Sequence, residues 1–171
     1  MPGATFDHLK ALIVEDNVHM RTLLKSLLGA LGIKHAYEAS NGADAFLIMR
    51  DKSPDMVLTD LSMKPVDGIQ FTREVRLAHD SPNPYVPIIM ITGHTERRKV
   101  EAARDAGVTE FLAKPITMQK LFLRIAETVD RPRPFVRCAG YFGPDRRRHD
   151  DAFHPGPWRR QADAEMRLEW R

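Results

Sequence analysis

Met56-Val57-Leu58-Thr59-Asp60 is an apolar run that ends in a carboxylate. Met, Val and Leu are large and apolar, and Val and Thr are β-branched. The run therefore predicts a strand buried on both faces, the pattern of a parallel sheet. An acid at the carboxyl end of such a strand points into the crevice where open α/β sheets bind ligands. Taken alone, Asp60 reads as readily as a cap of the loop that follows it. The flanking segments have to decide.

Toward the N-terminus, Leu9 to Val14 is a short apolar run interrupted by Glu15-Asp16-Asn17. Met20, Leu23, Leu24, Leu27, Leu28 and Leu31 then recur at helical spacing and stop at Gly32, which makes a first βα unit. Ile33 to Ala39 predicts a weaker second strand. Asn41-Gly42 opens a helix with Ala45, Phe46 and Met49 inward, and Ser53-Pro54-Asp55 ends it. Beyond Asp60, a loop through Met63-Lys64-Pro65 and Asp67-Gly68 leads to a helix carrying Phe71 and Val75. Val86 to Ile91 is the most apolar strand and ends at Thr92-Gly93-His94. A helix from about Glu96 to Ala106 has a thin apolar face and should be the least firmly packed. Glu110 to Ala113 ends at Lys114-Pro115. Met118, Leu121, Phe122, Ile125 and Val129 form the last amphipathic helix. Five βα units with short connections predict an α/β fold: a five-stranded parallel sheet, flavodoxin-like, in the order 2-1-3-4-5.

The 171 residues can hold one good core with a short appendage. With 43% hydrophobic and 29% charged residues the composition is that of a globular protein. A single cysteine, Cys138, excludes an internal disulfide framework and fits a reducing compartment. Met1 to Lys10 shows no apolar signal core, and no run is long enough to span a membrane, so the expected location is cytoplasmic. Charge is uneven. Residues 1–130 carry 16 Lys+Arg against 17 Asp+Glu, whereas 131–171 carry ten arginines, no lysine and six acids. That shift, with Arg131-Pro132-Arg133-Pro134 and His154-Pro155-Gly156-Pro157, divides the chain into a domain at 8–130 and a basic extension at 131–171.

The carboxyl ends of parallel strands share one edge. Glu15 and Asp16 are thereby expected beside Asp60, Thr92 and Lys114. Carboxylates crowded together repel, by roughly 4 kcal/mol for a pair 4 Å apart at an effective dielectric of 20. A cation among them relieves this. Oxygen ligands without His or Cys suit Mg2+ rather than zinc. A carboxylate beside such an ion, a hydroxyl and an ammonium can act as a nucleophile toward phosphorus. Each residue also has a plainer reading: Thr92 as a strand-end hydroxyl, Lys114 as a solvated lysine, Glu15-Asp16 as a helix N-terminal acidic pair.

Ile13-Val14-Glu15-Asp16, Leu58-Thr59-Asp60, Met63 with Asp67-Gly68, Ile91-Thr92-Gly93 and Phe111-Leu112-Ala113-Lys114-Pro115 together resemble the receiver domains of two-component response regulators, the CheY-like family. The resemblance covers about residues 8–130. It implies that Asp60 accepts a phosphoryl group from a phosphohistidine on a histidine kinase or phosphotransfer protein. It also implies Mg2+ ligands at Asp16, Asp60 and the Ser62 carbonyl, with Glu15 one water away. Thr92 and Lys114 would bind phosphoryl oxygens, and Lys114-Pro115 would be a cis peptide. Thr92 and Phe111 would form the switch pair that alters the helix 4–strand 5–helix 5 face for a downstream partner, with homodimerisation on phosphorylation allowed for. Phe111 lacks the hydroxyl of the commoner Tyr, and Pro65 stands one residue later than the commonest pattern. Ser62 and His94 occupy positions that tune dephosphorylation in that family.

Catalysis beyond self-phosphotransfer and slow autodephosphorylation is not expected. A Mg2+-dependent phosphohydrolase with Asp60 as nucleophile is the first rival, disfavoured because Ser62 stands where a second acid is needed. The second is a nucleic-acid-binding effector using Phe135-Val136-Arg137 and Tyr141 to Arg148, whose aromatics and arginines could take phosphates and bases. A basic extension packed partly on the receiver is the plainer expectation there. Trp158, Ala162, Met166 and Trp170 hint at a short terminal helix.

Overall fold

The computed structural model describes residues 6–93, 97–146 and the backbone of 167–169. The chain runs β1 (Lys10–Val14), α1 (Val18–Ala30), β2 (His35–Ala39), α2 (Gly42–Lys52), β3 (Met56–Asp60), α3 (Gly68–Leu77), β4 (Ile88–Thr92), α4 (Arg97–Ala106), β5 (Glu110–Ala113) and α5 (Met118–Asp130). Three short strands follow: β6 (Phe135–Cys138), β7 (Tyr141–Pro144) and β8 (Arg167–Glu169). The first five strands form one parallel sheet in the order β2-β1-β3-β4-β5. This is the expected topology.

Strand alternation sends successive side chains to opposite faces. Ala11 and Ile13 pack with Leu58, Ile89, Ile91 and Leu112 against Leu24 and Leu28 of α1 and Leu121 and Ile125 of α5. Leu12 and Val14 pack on the other face with Val57 and Ile88, against Ala45 and Met49 of α2 and Phe71 and Val75 of α3. Every residue of β3 is buried because helices cover both sides.

Several boundaries differ from the expected ones for local reasons. The second strand begins at His35, since Ile33 N–H instead bonds back to Leu28 O and Gly32 N–H to Gly29 O, a Schellman closure of α1. Val86 is buried but lies before β4, its carbonyl taken by Arg76. On α1, Leu23 is exposed; on α5, Met118 and Val129 are exposed at the two ends of the helix. His94 and Glu96 lie outside the described residues.

The segment after α5 packs against α3 and α4. Phe135 and Phe142 pack on Tyr85 with ring centroids 5.1 Å from it in each case, and Arg76 lies over the Phe135 ring. Arg133 donates to Thr109 O and pairs with Glu110 at 2.9 Å, and Arg146 pairs with Asp105 of α4 at 3.1 Å. Helix α4 buries only Ala103 and Ala106 of its own, so the hairpin supplies part of the packing it was expected to lack. Of the expected terminal helix, Trp158, Ala162, Met166 and Trp170 lie outside the described residues, while Arg167–Glu169 is a strand paired antiparallel to β6. These three residues extend the ladder of β6 on the side away from β7.

Candidate functional site

Asp60 is the last residue of β3, and only 6% of it is exposed. Both of its carboxylate oxygens are engaged: Oδ2 accepts from the Ser62 backbone N–H at 2.8 Å, and Oδ1 from Lys114 Nζ at 2.7 Å. The sheet makes this meeting possible. Thr92, the buried last residue of β4, accepts at its carbonyl from the Lys114 N–H at 2.9 Å, which carries the β4–β5 ladder one step past Ala113. The next peptide bond, Lys114–Pro115, is cis, as is Lys64–Pro65 in the β3–α3 loop.

Glu15 follows β1 and is nearly fully buried. Its Oε1 accepts from Asn17 N–H at 3.2 Å; its Oε2 is buried with no hydrogen-bond partner and lies 3.8 Å from Lys114 Nζ. Burial pushes the Glu15 carboxyl above its ordinary value, with the Asp60 charge and a hydrogen bond to Asp16 acting the same way; the Asn17 N–H and the Lys114 charge oppose them. Asp16 is exposed at the mouth of the site. Glu15, Asp60 and Lys114 thus meet through their side chains at the ends of β1, β3 and β5, with Asp16 beside Glu15, the Ser62 N–H on Asp60 and Thr92 joined to Lys114 through the backbone.

Phe111 is the second residue of β5, three residues before Lys114. It is partly buried against Leu61, Met90, Ala103 and Val108. With Leu112, Ala113, Lys120, Leu123 and Arg124 it also lines a shallow surface groove between β5 and α5.

The donor set is hard oxygen, and the orphaned buried Glu15 Oε2 beside Asp60 is the kind of atom a divalent ion satisfies. No group of three His, Cys, Asp or Glu among the described residues is already arranged around a metal position. The Lys114 ammonium sits against Asp60 and Asp16 faces solvent. The residues fit Mg2+.

Two contributors went unread in the sequence. Gly68 opens α3 so close to β3 that an added Cβ would lie 2.2 Å from the Asp60 carbonyl oxygen. Asp67-Gly68 was visible as a motif, but not this contact. Arg21 of α1 donates to Glu15 O at 2.7 Å and Asp16 O at 3.3 Å. An arginine on the first turns of a helix ordinarily reads as a solvated charge, and no spacing marks it out.

A family model described as the response regulator receiver domain matches residues 11–126. The chain is 33% identical over 123 residues to the chemotaxis protein CheY of Pseudomonas aeruginosa, covering 72% of this chain and 98% of that protein. It is 32% identical over 124 residues to chemotaxis protein CheY-3 of Vibrio cholerae, covering 72% of this chain and 94% of that one. Among solved structures, the receiver domain of a sensor histidine kinase from P. aeruginosa, described with a magnesium ion coordinated in its active site cleft, superposes with a TM-score of 0.61 at 30% identity. That match covers 70% of this chain and 94% of the other.

Proposed function

This chain belongs to the response regulator receiver domain family, and on that premise we propose that it signals by reversible phosphorylation of Asp60. The observation that carries the reading is the single contact of Lys114 Nζ with Asp60 at 2.7 Å and Glu15 at 3.8 Å. One ammonium, one acceptor carboxylate and one acid with an unbonded buried oxygen meet at the strand ends.

In the proposed transfer an Asp60 oxygen attacks the phosphorus of a phosphohistidine on a histidine kinase or phosphotransfer protein. The O–P bond forms as the N–P bond breaks, and the imidazole nitrogen leaves with the bonding pair. Asp16, Asp60 and the Ser62 carbonyl would hold Mg2+, with Glu15 contributing through a water, and the bound ion would supply charge neutralisation for the transferring oxygens. Lys114 leaves its present pair to bind one phosphoryl oxygen, and the Thr92 hydroxyl donates to another. Thr92 and Phe111 then pass the change to the α4–β5–α5 face, where a downstream protein docks. Little catalysis beyond this transfer and slow self-dephosphorylation is assigned to the chain.

Incubation with acetyl phosphate and Mg2+, read by intact mass, tests this. One added phosphoryl group is expected with Mg2+ and none in excess chelator. No addition, or addition indifferent to the metal, contradicts the reading.

A further inference from the structure

The acidic turn between β1 and α1 is only three residues long, Glu15 to Asn17, and bears two of the three acids of the crevice. Its ends are tied down: Glu15 N–H bonds to Ala39 O of β2 at 3.1 Å, and the Asn17 side chain caps α1 by accepting from Met20 N–H. Between them, the carbonyls of Glu15 and Asp16 are both taken by one nitrogen, Arg21 Nη1. The Arg21 side chain is 17% exposed, and its Nε lies 3.6 Å from Glu38 Oε2 on β2. The other oxygen of Glu38 is held by Lys25 at 2.6 Å.

Resting on the metal reading above, we propose that Arg21, held by Glu38, is a positioning residue that presets the acidic turn for a divalent ion. Mutual repulsion of Glu15, Asp16 and Asp60 acts to open the turn. Arg21 opposes that opening through the backbone, and on the turn itself it takes only carbonyl oxygens, leaving the Glu15 and Asp16 carboxylates uncontacted by it. Its own charge would repel a cation; Glu38 offsets that charge. The bracket therefore has two separable parts, geometry from Arg21 and charge balance from Glu38. Groups that hold metal ligands in place typically change affinity by about 10–100-fold when removed.

Calorimetric titration of Mg2+ into the full chain separates the parts. Arg21→Met should bind about tenfold more weakly than wild type, with Arg21→Lys between the two. Glu38→Gln should weaken binding relative to wild type at low salt, and the gap should narrow as salt screens the uncompensated Arg21 charge. Lys25→Met, which removes a cation paired to Glu38 but no contact with the turn, should bind at least as tightly as wild type. Urea midpoints in chelator should show that Arg21→Met keeps a cooperative metal-free fold, so that the loss is not general weakening. If that variant lacks a cooperative transition, Arg21→Lys and Glu38→Gln decide the matter. Mg2+ affinity in Arg21→Met equal to or above wild type overturns the proposal while leaving the phosphoacceptor reading intact. Wild type that takes up no Mg2+ overturns the metal reading itself.

Discussion

The chemistry of single residues in the crevice is set by what each is denied. Glu15 is denied solvent and a partner for Oε2, and its carboxyl is therefore raised. A carboxyl raised in the fold binds its proton more tightly there than in the unfolded chain. Metal-free stability is thus lost as pH rises from the ordinary value of 4.5 through the raised one. In chelator, Glu15→Gln should match wild type in melting temperature at low pH and exceed it at neutral pH. A gap that stays constant across that range would contradict the argument. Gly68 is denied a side chain by the Asp60 carbonyl. Because a backbone atom blocks the way, Gly68→Ala should cost about 3 kcal/mol in urea unfolding, and it should slow phosphorylation by displacing the Asp60 backbone. A wild-type midpoint would mean that the loop relaxes freely.

Among the elements, the β6–β7 hairpin is the one whose sequence said least. Each strand has four residues, the segment is rich in Arg and Pro, and the apolar content of Phe135, Val136, Tyr141 and Phe142 is too short to show a period. Its packing depends on partners far away in sequence. Arg76, buried in α3, donates to the carbonyls of Gly107, Pro84 and Val86. Burial lowers its guanidinium to about 9, still cationic at neutral pH, and the Phe135 ring lies 5.1 Å from it. Arg133 similarly meets buried Glu110, which Arg124 reaches only at 3.5 Å. Removing a partner of a buried pair strands the remaining charge. Arg133→Ala should therefore cost about 2 kcal/mol, below the full range because Arg124 remains. Exposed Arg131→Ala should stay within about 0.5 kcal/mol. Equal urea midpoints for the two variants would show that the hairpin does not brace β5. By contrast, the extent of α1 was readable from its leucine spacing to Gly32, although Leu23 of that spacing is exposed and the bond that recruits Ile33 into the closure was hidden.

At the scale of the whole molecule, the sheet converts sequence distance into proximity. Apolar strands with polar tips were legible because burial on both faces leaves little room for polar residues except at the ends, and Glu15, Asp60, Thr92 and Lys114 stand at those ends. What lies between the ends was not legible: the Arg21 bracket, the Gly68 contact and the seat of the hairpin are set by tertiary neighbours. No helix among the described residues is long and apolar enough to cross a membrane. The proposed phosphoacceptor role of Asp60 is open to direct chemical test. An aspartyl phosphate is an acyl phosphate, and borohydride reduces it to the alcohol, homoserine. The full chain, phosphorylated with acetyl phosphate and Mg2+, should be reduced with borohydride, digested and mapped by peptide mass. Homoserine at position 60, absent from Asp60→Asn, is the predicted result. Homoserine at another position, or phosphoryl addition that persists undiminished in Asp60→Asn, would contradict it.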